Sequence, residues 1–295
     1  MTDTDLPLLS ICIVNWNTRD LLRDCLESLD QYPPRNARLE TIVVDNDSAD
    51  SSADMVDAEF PGIILVRNPE NSGYAEGNNI AFTKATGDLI LLMNPDVVVH
   101  ADALTRSVAA MRDDPAIGAL GCRLLSADGS TQRSLRGFPD PWPVAFEYLK
   151  LARLAPWHRA IAAYRMDYFN YDRSGDVDQP MASFFMISRR CLDDVGPMDP
   201  AFPIFFNDVD WCYRAKRERG WRIVYRPDVV VTHHHGGSTR LVKPRMIVES
   251  HRSLIRFYEK FYKSRMPGLT FLLMKWAILW NERRNLRRAR TEAAA

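Results

Sequence analysis

Two carboxylates stand out in this sequence because of the residues that deliver them. Asp96 closes the stretch Asp88-Leu-Ile-Leu-Leu-Met-Asn-Pro-Asp96, and Val97-Val98-Val99 follows. Leu89 to Met93 is a continuous apolar run of strand length, the pattern of a strand buried on both faces. Pro95 has no N–H and cannot prolong a central strand. Asp96 is therefore expected just beyond the carboxyl end of a core strand, where open α/β sheets gather their ligands. A hard divalent cation that bridges to phosphate oxygens needs only one or two protein carboxylates there. The competing reading is a turn or helix cap, since Asn-Pro and Pro-Asp are common turn dipeptides.

The second carboxylate lies in Phe202-Pro-Ile-Phe-Phe-Asn-Asp-Val-Asp210-Trp211, an aromatic run that brings two acids to a helix start. Asp208 and Asp210 are two apart and cannot share a helix face. One can point into a cleft while the other caps or packs; alternatively both simply favour the helix dipole. A third cluster is His233-His234-His235, ahead of Gly236-Gly237. Adjacent strand residues alternate faces, so at most two of these histidines can bind one metal.

The elements that must position these groups alternate. Leu8 to Val14, Leu39 to Val44 and Ile63 to Val66 read as strands. Helical spacing begins after Thr18, a candidate N-cap, at Leu21, Leu22, Cys25, Leu26 and Leu29; Ser51 to Glu59 is a short helix. The polar stretch Asn68 to Asn79 reads as a loop, with a helix from about Gly77 to Ala85. This alternation predicts a parallel, doubly wound sheet. The loops after Val14, Val44 and Met93 then converge on one edge, and all three carry Asp or Asn, which suits a nucleotide and its metal-bound phosphates.

Beyond Cys122 the pattern weakens. Ser134 to Asp178 is rich in Pro, Arg and aromatic residues, either a functional segment or a helical insertion with its own small core. Met181 to Ile187, Trp221 to Tyr225 and Val229 to Thr232 are expected as strands, and Met246 to Phe261 as an amphipathic helix. Leu269 to Trp280 is almost wholly apolar, yet too short to span a bilayer and interrupted by Lys275. Lys263, Arg265, the arginines after Asn281, Trp276 and Trp280 give it the look of an interfacial membrane helix. The alternative is a helix docked on the domain or on a second copy of the chain.

The chain has 295 residues, 46% hydrophobic and 26% charged, enough for one large α/β domain or two small ones. Lys plus Arg equal Asp plus Glu at 38 each, so no global field points to nucleic acid. The five cysteines are scattered, odd in number and never in Cys-x-x-Cys, so neither a disulfide framework nor a zinc–cysteine site is suggested. MTDTDLPLLS lacks a basic segment followed by an apolar one, so a cytosolic chain is the default. Neither Gly-x-Gly-x-x-Gly nor Gly-x-x-x-x-Gly-Lys occurs, which weighs against a dehydrogenase or a P-loop enzyme.

Seven motifs occur in order: Ser10-Ile-Cys-Ile-Val-Asn-Trp-Asn17, Ile42-Val-Val-Asp-Asn46, Asn71-Ser-Gly-Tyr-Ala-Glu-Gly-Asn78, Leu91-Leu-Met-Asn-Pro-Asp96, Val195-Gly-Pro-Met-Asp199, Phe205-Phe-Asn-Asp-Val-Asp-Trp211 and His233-x-x-Gly236-x-Ser238. In this order and spacing they resemble the family-2 inverting glycosyltransferases, closest to the rhamnosyltransferase-like bacterial branch. The resemblance implies a GT-A fold: α/β, a Rossmann-like and mostly parallel central sheet flanked by helices, with a C-terminal helical extension. It implies a transferase domain over 1–240, with a nucleotide-sugar half at 1–125 and an acceptor half at 126–240. Residues 241–295 then form amphipathic, membrane-associating helices.

The same resemblance implies roles. Asp208 matches the catalytic base, with Asn207 where Glu is typical and Ala182 where Gly is typical. Asp96 matches the last acid of the metal-binding Asp-x-Asp, for Mg²⁺ or Mn²⁺, with Asn94 in place of the first acid, and His233 matches the histidine near the metal or diphosphate. Asp45, with Asn15 and Asn17, matches the group that holds the donor's base or ribose; Asn71, Gly73, Asn78 and Asn94 fall in the remaining donor-side motifs. The implied partners are a dTDP- or UDP-linked sugar, rhamnose leading, and a glycan or lipid-linked acceptor at the inner membrane face. A homodimer through the C-terminal helices is the other implied use of that extension. Two further classes stay open on the residues alone: a sugar nucleotidyltransferase, and a non-catalytic nucleotide- or glycan-binding protein.

Overall fold

Strand-length apolar runs broken by polar loops order the chain of this computed structural model, which describes residues 6–234 and 243–294. His235 to Thr239, the rest of the histidine–glycine motif, lie outside them. The first half runs β1 (Leu8–Asn15), α1 (Arg19–Gln31), β2 (Arg38–Asn46), α2 (Ser52–Glu59), β3 (Ile64–Asn68), α3 (Gly73–Lys84), β4 (Leu89–Met93), β5 (Val97–Val99), α4 (Ala103–Asp113) and β6 (Ile117–Leu125). The second runs β7 (Leu135–Arg136), α5 (Pro141–Tyr148), α6 (Leu151–Leu154), β8 (Gly175–Asp176), β9 (Gln179–Pro180), β10 (Phe184–Ser188), α7 (Arg189–Val195), α8 (Asn207–Tyr213), β11 (Arg222–His233), α9 (Lys243–Phe261) and α10 (Gly268–Ala294).

The central sheet has the order β3-β2-β1-β4-β10-β6-β11-β5, with β8 paired to β11. The pairs β2–β3, β1–β2, β1–β4 and β6–β11 are parallel. β10 is antiparallel to both neighbours, and β5 is antiparallel to β11. Every residue of β4 is buried, as its unbroken apolar run requires. Alternate side chains feed two layers. Ile11, Ile13, Leu91 and Met93 pack with α1 and α4, whereas Cys12, Ile90 and Leu92 pack with α3, α8 and α9. All five cysteines are buried and reduced.

Four sequence expectations change. Helix α3 begins at Gly73 rather than near Gly77, because Tyr74 N–H (2.7 Å) and Ala75 N–H (3.2 Å) donate to the Pro203 carbonyl, so the first turn's unpaired donors are satisfied from a distant loop. Trp221 to Tyr225 and Val229 to Thr232 belong to one strand, β11, whose register shifts between Arg226 and Val230. Pro227 sits in that irregularity, the place where a strand tolerates a missing donor. Thr18 precedes α1 without capping it; its hydroxyl donates to Asn15 Oδ1 at 2.6 Å instead. The segment from Ser134 to Asp178 is not a separate small core, since Phe138, Met166 and Val177 join the main cluster beneath α8 and α9.

Candidate functional site

The topology brings distant residues to the carboxyl end of β4. β10 runs antiparallel to β4 with Phe184 opposite Met93, which sets Ala182 and Ser183 beside the Asn94–Asp96 turn. β11 runs antiparallel to β5 with His233 opposite Val97, which sets His233 beside Asp96. The loop before α8 packs on α3 through Pro203 and delivers Asp208 from the far side. The outcome is one cavity of about 870 Å³, lined among others by Asn71, Gly73, Asn94, Asp96, Asp208 and His233. That volume lies within the usual range for small-molecule sites, roughly 300–1,000 Å³.

Asp96 and His233 face each other, with Asp96 Oδ1 3.4 Å from His233 Nε2. The same Oδ1 is buried, and no hydrogen bond reaches it among the described residues. The histidine's proton can be placed. Gln132 donates through Nε2 to the carbonyls of His233 (2.8 Å) and Leu125 (3.3 Å), so its Oε1 must be the acceptor for His233 Nδ1 at 2.9 Å. Nδ1 donates to Gln132, and Nε2 is the nitrogen turned towards Asp96. Ser183 Oγ, 3.3 Å from Nε2, accepts from Asn94 Nδ2 at 3.3 Å. A carboxylate oxygen that no donor reaches among the described residues, beside an imidazole nitrogen oriented by a carboxamide, is a donor set that fits a divalent cation. Among the described residues no group of three or more His, Cys, Asp or Glu stands together. Such an ion would complete its shell with phosphate oxygens and water.

Asp208 is partly buried and held at both oxygens. Oδ2 accepts from Gln179 Nε2 at 2.6 Å, and Oδ1 accepts from Val209 N–H at 2.8 Å. Burial pushes its carboxyl above the ordinary range, and the hydrogen bonds from Val209, Ala182 and Gln179 oppose that rise. Its neighbour Asp210 turns the other way, fully buried, and pairs with Arg214 (2.9 Å) and Lys260 (2.6 Å). The two-residue spacing thus divides the acids between cavity and core. Asn207, where an acid is typical, donates to the Ile204 carbonyl at 2.9 Å and accepts from Asp208 N–H at 2.7 Å. A carboxylate could not make the first of these bonds.

The other sequence candidates divide. Asn71 and Gly73 line the cavity, and Asn71 Oδ1 accepts from Gly73 N–H at 3.1 Å. Asn15, Asn17, Asp45 and Asn78 are not among the lining residues. Asp45 is buried; one oxygen accepts from Asn15 (2.9 Å) and the other from Ser48 N–H (3.1 Å). Asn17, at φ 53°, accepts from Ala49 N–H at 2.8 Å. These groups shape the loop that puts Trp16 on the wall beside Asn46. Asn78 donates to the Tyr74 carbonyl inside α3. Sequence reading missed Gln179, Ser183 and Arg136, which lie in or next to the weakly patterned segment, and also Arg245 and Glu249 at the start of α9.

Gly73 is required by its surroundings. Its φ is +88°, and a Cβ there would meet the Pro203 carbonyl oxygen at 2.7 Å. Gly73→Ala must push away the loop that carries Asp208. A fall of 1–3 kcal/mol in unfolding free energy, roughly, is expected by chemical denaturation, together with weakened ligand binding in the cavity.

The sequence profile of glycosyl transferase family 2 matches residues 10–193. The chain belongs to glycosyl transferase family 2. It is 24% identical over 234 residues to an N-acetylglucosaminyl-diphospho-decaprenol L-rhamnosyltransferase of Mycobacterium tuberculosis, covering 74% of each. It is 23% identical over 219 residues to a low-salt glycan biosynthesis hexosyltransferase of Haloferax volcanii, covering 73% of this chain and 64% of the relative. The match spans only 25% of the length of an uncharacterised relative from Sinorhizobium fredii and 18% of an O-antigen biosynthesis protein of Myxococcus xanthus. Among solved structures, a mannosyltransferase from Pyrobaculum calidifontis, in complex with GDP-Man and Mn²⁺, aligns with a TM-score of 0.59 at 19% identity, over 99% of this chain and 75% of that one. The fold is the GT-A fold of family 2, a mostly parallel sheet flanked by helices.

Proposed function

We propose that this chain is an inverting glycosyltransferase that moves a sugar from a dTDP- or UDP-linked donor to a glycan or lipid-linked acceptor. The observation that carries the reading is the meeting of Asp96 and Asp208 on one cavity from opposite ends of the fold. Residues 1–240 are taken as the transferase unit, and 241–295 as its helical extension. Rhamnose is the leading sugar, since the Mycobacterium tuberculosis relative is a rhamnosyltransferase.

In this reading the acceptor hydroxyl attacks the anomeric carbon. Its proton passes to the Asp208 carboxylate as the new C–O bond forms. The bond to the diphosphate breaks on the opposite face, and its electron pair leaves with the nucleoside diphosphate. Asp96 and His233, with Asn94 beside them, would hold Mg²⁺ or Mn²⁺, which when bound would offset the charge that develops on the leaving diphosphate. Asp45 and the Asn15–Asn17 loop serve the base and ribose end, with Trp16 at the wall, and Asn71, Gly73 and Asn78 form the donor-side flank. The exposed face of α10 rests on the inner face of the cell membrane, where a lipid-linked acceptor is presented.

The test is a thermal-shift panel of nucleotide sugars with and without Mn²⁺ or Mg²⁺, followed by product analysis at the anomeric centre. Ion-dependent stabilisation by one nucleotide sugar and an inverted product are expected. Retention of configuration would overturn the reading.

Gln179 offers a separate check. Removing its hydrogen bond in Gln179→Leu disfavours the charged form of Asp208 and moves the carboxyl further up. At a given pH less of the base is then ionised. The acid limb of the kcat/KM profile should shift to higher pH, with the plateau above it less affected.

A further inference from the structure

Among the described residues, every exposed large hydrophobic side chain except Ile64 lies on one of two stretches, 142–157 or 269–280. On α10 the stripe is Leu269, Leu272, Leu273, Trp276 and Trp280, whereas Phe271 and Ile278 turn inward onto Leu254, Ile255 and Tyr258 of α9. Lys275, which interrupts the apolar run, pairs with Glu259 of α9 at 2.9 Å, so the helix is docked by one face and open on the other. The second stretch, on α5, α6 and the turn after them, exposes Trp142 (74%), Leu149 (68%), Leu154 (74%) and Trp157 (73%).

The two stretches are joined. Asn281 of α10 lies beside the Tyr148 phenol at the end of α5, and 3.1 Å from His251 Nε2 of α9. Basic residues lie in or beside both stretches, in a chain of zero net charge. Residues 142–166 contain Lys150, Arg153, Arg159 and Arg165 against Glu147, which pairs with Arg165. Lys150, Arg153 and Arg159 are exposed, as are Arg283, Arg284, Arg287 and Arg288 on α10. Exposed Trp and Leu interleaved with Lys and Arg match the boundary of an anionic bilayer. A second copy of the chain fits less well, because a twofold contact would set like charge against like. Among the described residues no helix is long and apolar enough to cross a membrane.

We propose that α5 and α6, together with the open stripe of α10, form one two-part surface that docks on an anionic lipid bilayer. This deepens the transferase reading, on which it rests for the identity of the acceptor. The same elements adjoin the site: the chain enters α5 five residues after Arg136, and the first turns of α9 supply Arg245, Met246 and Glu249 to the cavity wall.

The test is co-sedimentation of the full chain with phosphatidylcholine vesicles, with and without phosphatidylglycerol. Deleting α10 would strip the cover from Leu254, Ile255 and Tyr258, so exposed side chains are substituted instead. Two variants are compared, W142S/L154S/W157S and L272S/W276S, with thermal midpoints as the folding control. Binding should require phosphatidylglycerol, fall with added salt, and weaken by about tenfold or more in each variant. If only L272S/W276S weakens binding, the part assigned to α5 and α6 is overturned and the membrane role of α10 stands. Equal binding to neutral vesicles, or no loss in either variant, overturns the proposal. So does a concentration-dependent dimer that both variants dissolve. Turnover on a water-soluble acceptor is read separately, so failure of the transferase reading shows as no product whatever the vesicle result.

Discussion

Asp208→Asn should lower kcat by about 10²–10⁴-fold, the usual contribution of a positioned general base, while leaving nucleotide-sugar affinity near wild type. Two observations set this expectation. Asp208 lines the same cavity as Asp96 and His233, and its oxygens are oriented by Gln179 and Val209. Folding should be little changed, because two effects oppose. The carboxyl is raised by burial, so its ionisation costs stability; that cost is absent below the unfolded-state pKa and fully present above the folded one. Asn removes the cost. It also presents one acceptor where the carboxylate presents two, and leaves either Gln179 or Val209 short of a partner. Isothermal titration with donor, a thermal midpoint and single-turnover kinetics separate the three quantities. Near-normal turnover would remove Asp208 from the chemistry.

What was legible in the sequence is what short-range physics controls. The run Leu89 to Met93 can only be a doubly buried strand, and Pro95 stops it, so the place of Asp96 follows from a few neighbouring residues. That Asp208 and Asp210 take different faces follows from their spacing, but that Asp208 lines the cavity while Asp210 pairs with Lys260 and Arg214 depends on partners elsewhere. The illegible features depend on partners far along the chain. Nothing near Gly73 signals that its helix begins there, since the satisfying acceptor is the carbonyl of Pro203. Gln179 lies on a two-residue strand too short to show a period, and its importance comes from Asp208, 29 residues on. Thr18 has the right type for a cap and the right position, yet a buried Asn15 takes its hydroxyl.

The C-terminal helices show the same division. Their apolar content was plain, but an apolar run alone cannot say whether a helix docks or faces lipid. The answer differs by face. Phe271 and Ile278 dock, Leu272 and Trp276 stay open, and Lys275 is spent on Glu259 rather than on solvent. Arg245 and Glu249 at the start of α9 reach the cavity, so the extension is also part of the site's wall.

Asp96→Ala should abolish the ion-dependent part of nucleotide-diphosphate binding. In the proposed function two protein atoms would hold the ion, Oδ1 of Asp96, which no hydrogen bond reaches among the described residues, and Nε2 of His233. With the Asp96 carboxylate gone, an imidazole alone cannot hold a hard cation against water. Thermal shift with UDP should show stabilisation by Mn²⁺ in the wild type and none in the variant; UDP without the ion should bind both alike. Activity should fall by ~10²–10⁴-fold, since charge stabilisation by a bound ion is several kcal/mol and each ~1.36 kcal/mol is tenfold. Gln132→Leu supplies the finer control. It removes the acceptor that fixes the histidine's proton on Nδ1, without touching the ligand atoms. Ion affinity should drop by about 10–100-fold, the usual effect of losing an outer partner of a ligating histidine, and should fall short of the loss in Asp96→Ala. Mn²⁺-dependent stabilisation that survives in Asp96→Ala would place the ion elsewhere on the wall and leave the buried oxygen without a role.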